Sequence, residues 1–219
     1  EKASALHLNS GAINVTGGVL TLRQTGAGAS FTNSGTIAIS AGKLCAVQGG
    51  GFVYTPGSTT GAGQNTYSSN PLTTETCTPS NMTLTATSAQ TLFLGGVTAS
   101  NVTDGATLIV RSNPNAINGT FVSQPGSLLR VDQGPINAQA LLTIANGFVN
   151  DGAIELDNTG PGYPNDTRLT VTSGTLANPA TGGGIKALST FPQGDRTLAV
   201  QLDNQGTLTV AHDLLIEKA

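Results

Sequence analysis

Asn9-Ser-Gly-Ala-Ile-Asn-Val15 and Asn33-Ser-Gly-Thr-Ile-Ala-Ile39 share one grammar: asparagine, any residue, glycine, any residue, then two aliphatics separated by one residue. The grammar returns as Asn150-Asp-Gly-Ala-Ile-Glu-Leu156 and Asn204-Gln-Gly-Thr-Leu-Thr-Val210. After the first two copies, Val15-Thr-Gly-Gly-Val-Leu-Thr-Leu22 and Ile39-Ser-Ala-Gly-Lys-Leu-Cys-Ala-Val47 each add a glycine turn and another strand. Asn9 and Asn33 lie 24 residues apart, the length of one coil of a β-helix. Gly11, Gly35, Gly152 and Gly206 are expected to supply positive φ at the sharp corners such a coil needs. Asn9, Asn33, Asn150 and Asn204 tolerate the left-handed region and hydrogen-bond their own backbone at a turn. Coils stacked about 4.8 Å apart superpose like residues, which predicts amide ladders at the corners and a continuous aliphatic core. Like charges stacked in this way would repel, and only 10% of the 219 residues are charged, against about 25% in ordinary soluble domains.

Outward from these copies the chain keeps the same character. Short alternating runs such as Leu6–Leu8, Val19–Leu22, Leu84–Ala86, Leu108–Val110, Leu141–Ile144, Leu169–Val171 and Leu214–Ile216 end in Gly, Asn, Asp or Ser. No apolar pattern of helical period is sustained, because Gly or Pro interrupts almost every window. Disorder is excluded by the 37% of apolar residues, which recur in β-branched runs able to bury a face. The spacing between copies is uneven, 117 residues from Asn33 to Asn150 and 54 from Asn150 to Asn204. Irregular excursions at Gln48–Ser80, Asn158–Asp166 and Asn178–Asp195 account for the unevenness. Coils of about 20–24 residues predict nine or ten of them, a rod of roughly 45 Å.

Cys45 and Cys77 are the only cysteines, too few for a zinc site and without redox spacing. They flank the Gly/Thr/Ser/Pro-rich excursion at about 48–80, and a disulfide closing it is expected to give roughly 3–4 kcal/mol in the chain-entropy model. Such a bridge implies an oxidising compartment; two buried free thiols are the other reading. The net charge of −3, with no cluster of Lys or Arg, leaves nothing to track nucleic-acid phosphates. No apolar stretch is long enough for a transmembrane helix. The chain starts Glu1-Lys2-Ala3 and ends Glu217-Lys218-Ala219. Read as a circle, Asn204 falls 21 residues before the next Asn9, one further coil, so the expectation is one unit of a tandem array repeating every 216 residues.

The N-x-G-x-[IL]-x-[VIL] segments followed by glycine-turn strands resemble the β-solenoid repeats of large bacterial secreted proteins, the filamentous-haemagglutinin-like adhesins and autotransporter passenger domains. The likeness is carried by Asn9, Asn33, Asn150, Asn204 and the glycines after them, and covers about two thirds of the chain. It implies a stalk, an adhesive surface or a fibre shaft. The Cys45–Cys77 pair departs from the cysteine-poor pattern of that group.

β-Helices also host polysaccharide-cleaving enzymes, which makes Asp132, Asp151, Glu155, Asp157, Asp195, Asp203 and Asp213 candidate carboxylates. Glycoside hydrolysis needs two carboxyls about 5–10 Å apart around a sugar. Glu155 and Asp157 alternate with Ile154 and Leu156 and share a sheet face, yet aromatic content is 4% and Trp is absent, so solvated strand residues are the better account. Asp157, Asn158, Asn165 and Asp166 offer hard oxygen ligands without any calcium-loop spacing, and read as turn chemistry. His7 and His212 have no ligand at metal spacing. The alternations at Thr83–Thr87, Thr170–Thr172 and Thr207–Thr209 suggest an ice-binding lattice, but their irregular separation favours ordinary solvent-face threonine. Sequons at Asn14, Asn81, Asn101, Asn118 and Asn165 follow from composition.

The expectation is therefore one all-β domain over 1–219, a right-handed parallel β-helix with one disulfide-stapled excursion and no cofactor, metal or catalytic residue. Its expected role is mechanical, as an extracellular or cell-surface module, bacterial in origin, that associates with copies of itself through its open edges. The alternative is a carbohydrate-binding adhesin, reaching a glycan or cell-surface ligand through Tyr54, Tyr67 and Tyr163, or a polysaccharide-degrading enzyme.

Overall fold

The computed structural model describes residues 4–54, 57–72, 76–85, 90–112, 114–135 and 137–218, and among these all regular structure is β. The first turns carry three strands each: β1 (Leu6–Asn9), β2 (Ala12–Val15) and β3 (Val19–Arg23), then β4 (Ser30–Asn33), β5 (Thr36–Ile39) and β6 (Leu44–Gln48), then β7 (Gly50–Tyr54), β8 (Ser58–Thr60) and β9 (Gln64–Ser68). From Cys77 onward a long strand alternates with a short one. These pairs are β10 (Cys77–Leu84) with β11 (Gln90–Phe93), β12 (Val97–Asp104) with β13 (Thr107–Val110), and β14 (Asn115–Ser123) with β15 (Leu128–Asp132). They continue as β16 (Ala140–Val149) with β17 (Ala153–Asp157), β18 (Thr167–Asn178) with β19 (Ile185–Ala187), and β20 (Arg196–Asn204) with β21 (Leu208–Val210); β22 (Leu214–Glu217) opens a further turn. The repeated Glu1–Ala3, the terminal Ala219, and Ala86 and Thr87 of the sequence-predicted strands lie outside the described residues.

Each strand pairs in parallel with its counterpart one turn away. The result is a ten-stranded sheet (β1-β4-β7-β10-β12-β14-β16-β18-β20-β22), a nine-stranded sheet (β21-β19-β17-β15-β13-β11-β9-β6-β3) and a three-stranded one (β2-β5-β8). Parallel strands that return to a neighbour only after a full circuit define a β-solenoid, as the repeat grammar predicts. The long strands turn a corner inside the ten-stranded sheet through bulges. Asn81 and Asn101 sit there at φ 55° and 54°, Gly119 and Gly174 at 73° and 81°, and the register shifts between Ser100 and Val102 and between Thr170 and Thr175. Asn101 Nδ2 donates to Asn81 Oδ1 at 3.2 Å, and Asn101 Oδ1 accepts the Thr120 N–H, so amides stack at this corner too.

Alternate residues of every strand point into one continuous core. In the nine-stranded sheet Leu108, Leu129, Ile154 and Ile185 stack in one column, and Phe93, Val110, Val131 and Leu156 in the next. All are buried, and each such side chain withdrawn from water contributes about 1.5–3 kcal/mol. Phe31 and Phe52 stack face to face at 5.4 Å near the start of the rod.

Two expectations fail in the segment from Gln48 to Ser80. It is not an excursion but a complete turn, β7 to β9, that leads on to β10. Its inward positions are Phe52, Tyr54, Thr59, Asn65 and Tyr67, all buried. Asn65 Nδ2 donates to the hydroxyls of Tyr54 (3.0 Å) and Tyr67 (2.8 Å), Tyr54 pairs with Thr59, and the two tyrosine hydroxyls bond each other. Because this turn fills its core with hydrogen-bonded polar groups and rings, it lacks the aliphatic alternation of the others. Nor does a disulfide close it: Cys45 and Cys77 are free and buried. Cys45 stacks between Leu20 and Asn65 in the nine-stranded sheet, while Cys77 stacks between Gly50 and Val97 in the ten-stranded one. Each fills the slot of a small apolar residue.

Burial pushes both thiols from 9.0 up to about 12, offset slightly at Cys77 by a hydrogen bond with the Ser68 backbone. Tyr54 is raised to about 12 and Tyr67 further, again by burial. The folded state therefore holds these protons more tightly than the unfolded chain. Their contribution is intact below pH 9 and lost as pH climbs towards 12. Thermal denaturation at pH 7 should give the same midpoint with and without dithiothreitol, and the midpoint should fall between pH 9 and pH 12; a midpoint lowered by the reductant at pH 7 would restore the disulfide.

Candidate functional site

The four asparagines foreseen from sequence do stack, but on two corners rather than one. Asn9 and Asn33 close β1 and β4, where the chain passes into the three-stranded sheet, and Asn9 Nδ2 donates to Asn33 Oδ1 at 2.8 Å. Asn150 follows β16, and Asn178 and Asn204 close β18 and β20, where the chain passes into the nine-stranded sheet. There Asn150 Nδ2 donates to Asn178 Oδ1 at 3.0 Å and Asn178 Nδ2 to Asn204 Oδ1 at 2.7 Å. Asn178 was read only as the edge of an excursion, because its turn runs Asn-Pro-Ala-Thr-Gly and departs from the N-x-G spacing.

The glycines serve a purpose other than the expected one. Gly11, Gly35, Gly152 and Gly206 are absent from the positive-φ residues. What excludes a side chain is the neighbouring turn. A Cβ at Gly35 would lie 2.0 Å from the Gly11 carbonyl oxygen, one at Gly206 2.4 Å from that of Pro179, and one at Gly152 2.2 Å from Ser127 Oγ. Gly11, on the first turn, faces open space with nothing within 4 Å.

The candidate carboxylates are held by their neighbours. Glu155 sits between Arg130 (Nε to Oε2, 2.9 Å) and Lys186 (Nζ to Oε1, 3.3 Å) in one outward column. Stacked charges thus alternate in sign instead of being excluded. Asp132 accepts from Arg111, from the Gly134 N–H and from Thr159, and Asp157 accepts from Thr190 and the Asn158 N–H. These bonds fasten the segments that begin at Gln133, Asn158 and Leu188, which emerge one above another where the chain leaves the nine-stranded sheet. Arg196, which no sequence pattern marked, is the largest fully buried side chain and donates to the carbonyls of Leu188, Phe191, Gln193 and Gly194. Burial lowers its pKa, against the opposing pull of Asp157, Asp132, Asp166 and Asp195. The proposed calcium donors are drawn into the same lattice: Asn158 Nδ2 bonds Tyr163 O and Gln193 O, Asn165 bonds Asn137, and Asp166 accepts from Gln139 and the Asp195 N–H. Among the described residues no group of three His, Cys, Asp or Glu forms a metal cluster, and no helix is long and apolar enough to cross a membrane.

Of the aromatic residues considered for glycan contact, Tyr54 and Tyr67 are buried in the core, and only Tyr163 lies on a corner loop. His7 is exposed with its ring against Phe31, and His212 is exposed beside the Asp213 carbonyl. Thr98, Ala116, Thr143 and Thr170 share an outward column in register, so unequal coil lengths do not disturb the stacking; alanine interrupts the threonines.

The two ends differ from the flanks. At one end β1, β2 and β3 present unpaired edges, with Leu6, Leu8 and Val19 exposed, and a cavity of about 220 Å³ opens into the core between His7, Leu22, Gln24 and Phe31. Gln24 is buried there with Oε1 unpaired, its Nε2 bound to Gly51 O. At the other end β21 and β22 present edges with Val210, Leu215 and Ile216 exposed, around a cavity of about 500 Å³ floored by Arg196 and Leu214.

The fold defines the protein as a β-solenoid. No protein-family model, curated protein or solved structure matches the chain.

Asp104 lies one column with Ser123 and carries its carboxyl fully buried, with Oδ2 unpaired and Oδ1 accepting the Ala106 N–H. Burial pushes it from 3.8 up to about 7, against that hydrogen bond. Its favourable contribution is complete below pH 3.8 and lost as pH rises through 7, so Asp104→Asn should stabilise the fold at pH 8 by about 2–4 kcal/mol and by nothing at pH 3.5. Equal effects at both pH values would contradict a buried, uncompensated carboxylate. The glycine geometry predicts that Gly35→Ala costs about 3 kcal/mol or more, while Gly11→Ala leaves the midpoint of the dilute protein unchanged; denaturant titration of the pair compares them directly.

Proposed function

We propose that this β-solenoid is a structural module of an extracellular fibre, stalk or adhesin, associating end to end through the open edges of its sheets. The observation that carries the proposal is the contrast between ends and flanks. Strand edges offer N–H and C=O groups to any further strand, of the same polypeptide or of another, and exposed aliphatics lie on the edge strands at both ends. Along the flanks the ladders are closed by amides, by alternating charges and by fastened loops. The resemblance to haemagglutinin-like adhesins and autotransporter passengers supports a bacterial, cell-surface setting.

A glycan-binding role has one observation in its favour. The loops 158–166 and 188–195 are tied together through Asn158, which bonds the backbones of Tyr163, Phe191 and Gln193, and each loop carries a half-buried aromatic, Tyr163 or Phe191.

Electron microscopy of the purified protein at rising concentration tests the main proposal. Filaments or short rods with an axial repeat near about 45 Å, ten strands at the sheet spacing, are the expected result. Separate particles at every concentration, together with glycan binding lost in Tyr163→Ala, would replace it with the adhesin reading.

A further inference from the structure

We infer that Asn118 is a self-modification site. Its side-chain amide is converted to a carboxylate by attack of the Gly119 backbone nitrogen, while the neighbouring Asn146-Gly147 pair is held unreactive by the turns on either side of it.

An asparagine followed by glycine carries its own nucleophile. The nitrogen of the following peptide gives its proton to solvent base, reaches the side-chain carbonyl carbon and closes a five-membered succinimide. Glycine favours this step because it has no Cβ to crowd the approach and rotates freely. The N–Cγ bond forms, the Cγ–Nδ2 bond breaks, and the departing nitrogen takes a proton from water and leaves as ammonia. Water then opens the ring to aspartate or isoaspartate. The chain has two such pairs, Asn118-Gly119 and Asn146-Gly147. All four residues are exposed, and the pairs lie one turn apart at bulges of the same corner.

The fold treats the two pairs differently. Asn146 Nδ2 donates to Gly119 O at 2.8 Å, so ring closure at Asn146 must first break that bond. Its nucleophile is also covered, because Gly147 N stands 3.1 Å from the place of a Cβ on Gly174. A Cβ on Gly147 would in turn lie 2.4 Å from Thr175 N and 2.5 Å from Thr175 O. Main chain packed this closely against main chain leaves no room for the rotation that brings nitrogen to carbon.

Asn118 has a free amide: its side chain makes no hydrogen bond among the described residues. β14 pairs with β16 over Asn115–Ile117 and meets it again at the isolated Ser123–Asn150 bridge. On the other side the register with β12 passes from Ser100↔Asn118 to Val102↔Phe121, which leaves Gly119 and Thr120 without ladder partners. Two restraints hold this stretch, Asn101 Oδ1 on the Thr120 N–H and Asn146 Nδ2 on the Gly119 carbonyl. Both act beyond the 118–119 peptide, the one that must turn. What crowds Gly119 is the exposed side chain of Asn101, with Oδ1 2.3 Å from the place of a Cβ, and a side chain can swing away. The product fits the site. Its carboxylate is exposed beside uncharged Ser100, and isoaspartate adds one main-chain atom to a strand already bulged at that point.

The test follows both pairs in the intact protein kept at pH 8, by peptide mass and by methylation with an isoaspartate-specific methyltransferase. The peptide holding Asn118 should gain the mass of an amide-to-acid exchange at least ten times faster than the one holding Asn146, and faster still as pH rises. In the urea-unfolded chain the two should react at similar rates, since each then offers the same Asn-Gly pair. Asn118→Gln, which would have to close a six-membered ring, should abolish the gain at that position and leave Asn146 unchanged. Equal rates in the folded protein would overturn the assignment, as would a preference for Asn118 that persists in urea. So would a folded Asn118 that stays intact while the unfolded chain converts.

Discussion

Everything in this molecule depends on one turn of backbone lying flat against the next at the parallel-sheet spacing. At that distance a corner has room for a carbonyl oxygen or a Cβ, but not for both. The Gly11 oxygen stands 2.0 Å from where a Gly35 side chain would begin, and the Asn33 oxygen 1.9 Å from the same point at Gly57. Glycine at these corners is thus selected by the neighbouring turn and not by its own torsion angles. The asparagines complete the arrangement, since a stacked column of primary amides satisfies itself by donating one way and accepting the other.

The same spacing governs the polar and charged residues. A column repeats its chemistry at every turn, so a lone charge needs an opposite charge above or below it. Arg130, Glu155 and Lys186 meet that requirement on the outer face, and Arg111 with Asp132 beside them. Arg196, surrounded by Asp157, Asp132, Asp166 and Asp195, is capped by backbone carbonyls, and Asp104, without a counter-charge, has its pKa raised by burial. On the flanks of such a rod a charged side chain finds its partner in the turn above or below.

Much of this was legible in the chain and some was misleading. The alternation of short β-branched runs with Gly and Asn turns gave an all-β solenoid, and the N-x-G copies gave residues that do stack. The disulfide was inferred from a Gly/Thr/Pro-rich segment between two cysteines, a pattern that a loop and a polar-cored turn share. Phe52, Tyr54, Asn65 and Tyr67 fill the core of that turn through rings and hydrogen bonds, which hydropathy does not register as burial. Asn178 was missed because a proline follows it, and Arg196 because a charged residue in a strand ordinarily reads as solvent-exposed.

By itself, the sequence determined the class of structure: local alternation decides that each segment is a strand, and corner residues decide that the strands are short and turn often. The register between turns belonged to the tertiary structure alone. Loops of unequal length leave at one corner, so separation along the chain carries no information about which residues stack, and the four matching motifs came to lie on two corners. The free state of the thiols was decided there as well, because Cys45 and Cys77 were set on different sheets by the course of a turn that no local pattern revealed. Local preference acts over a few residues, whereas the column in which a side chain finds its partner is set only when the whole circuit closes.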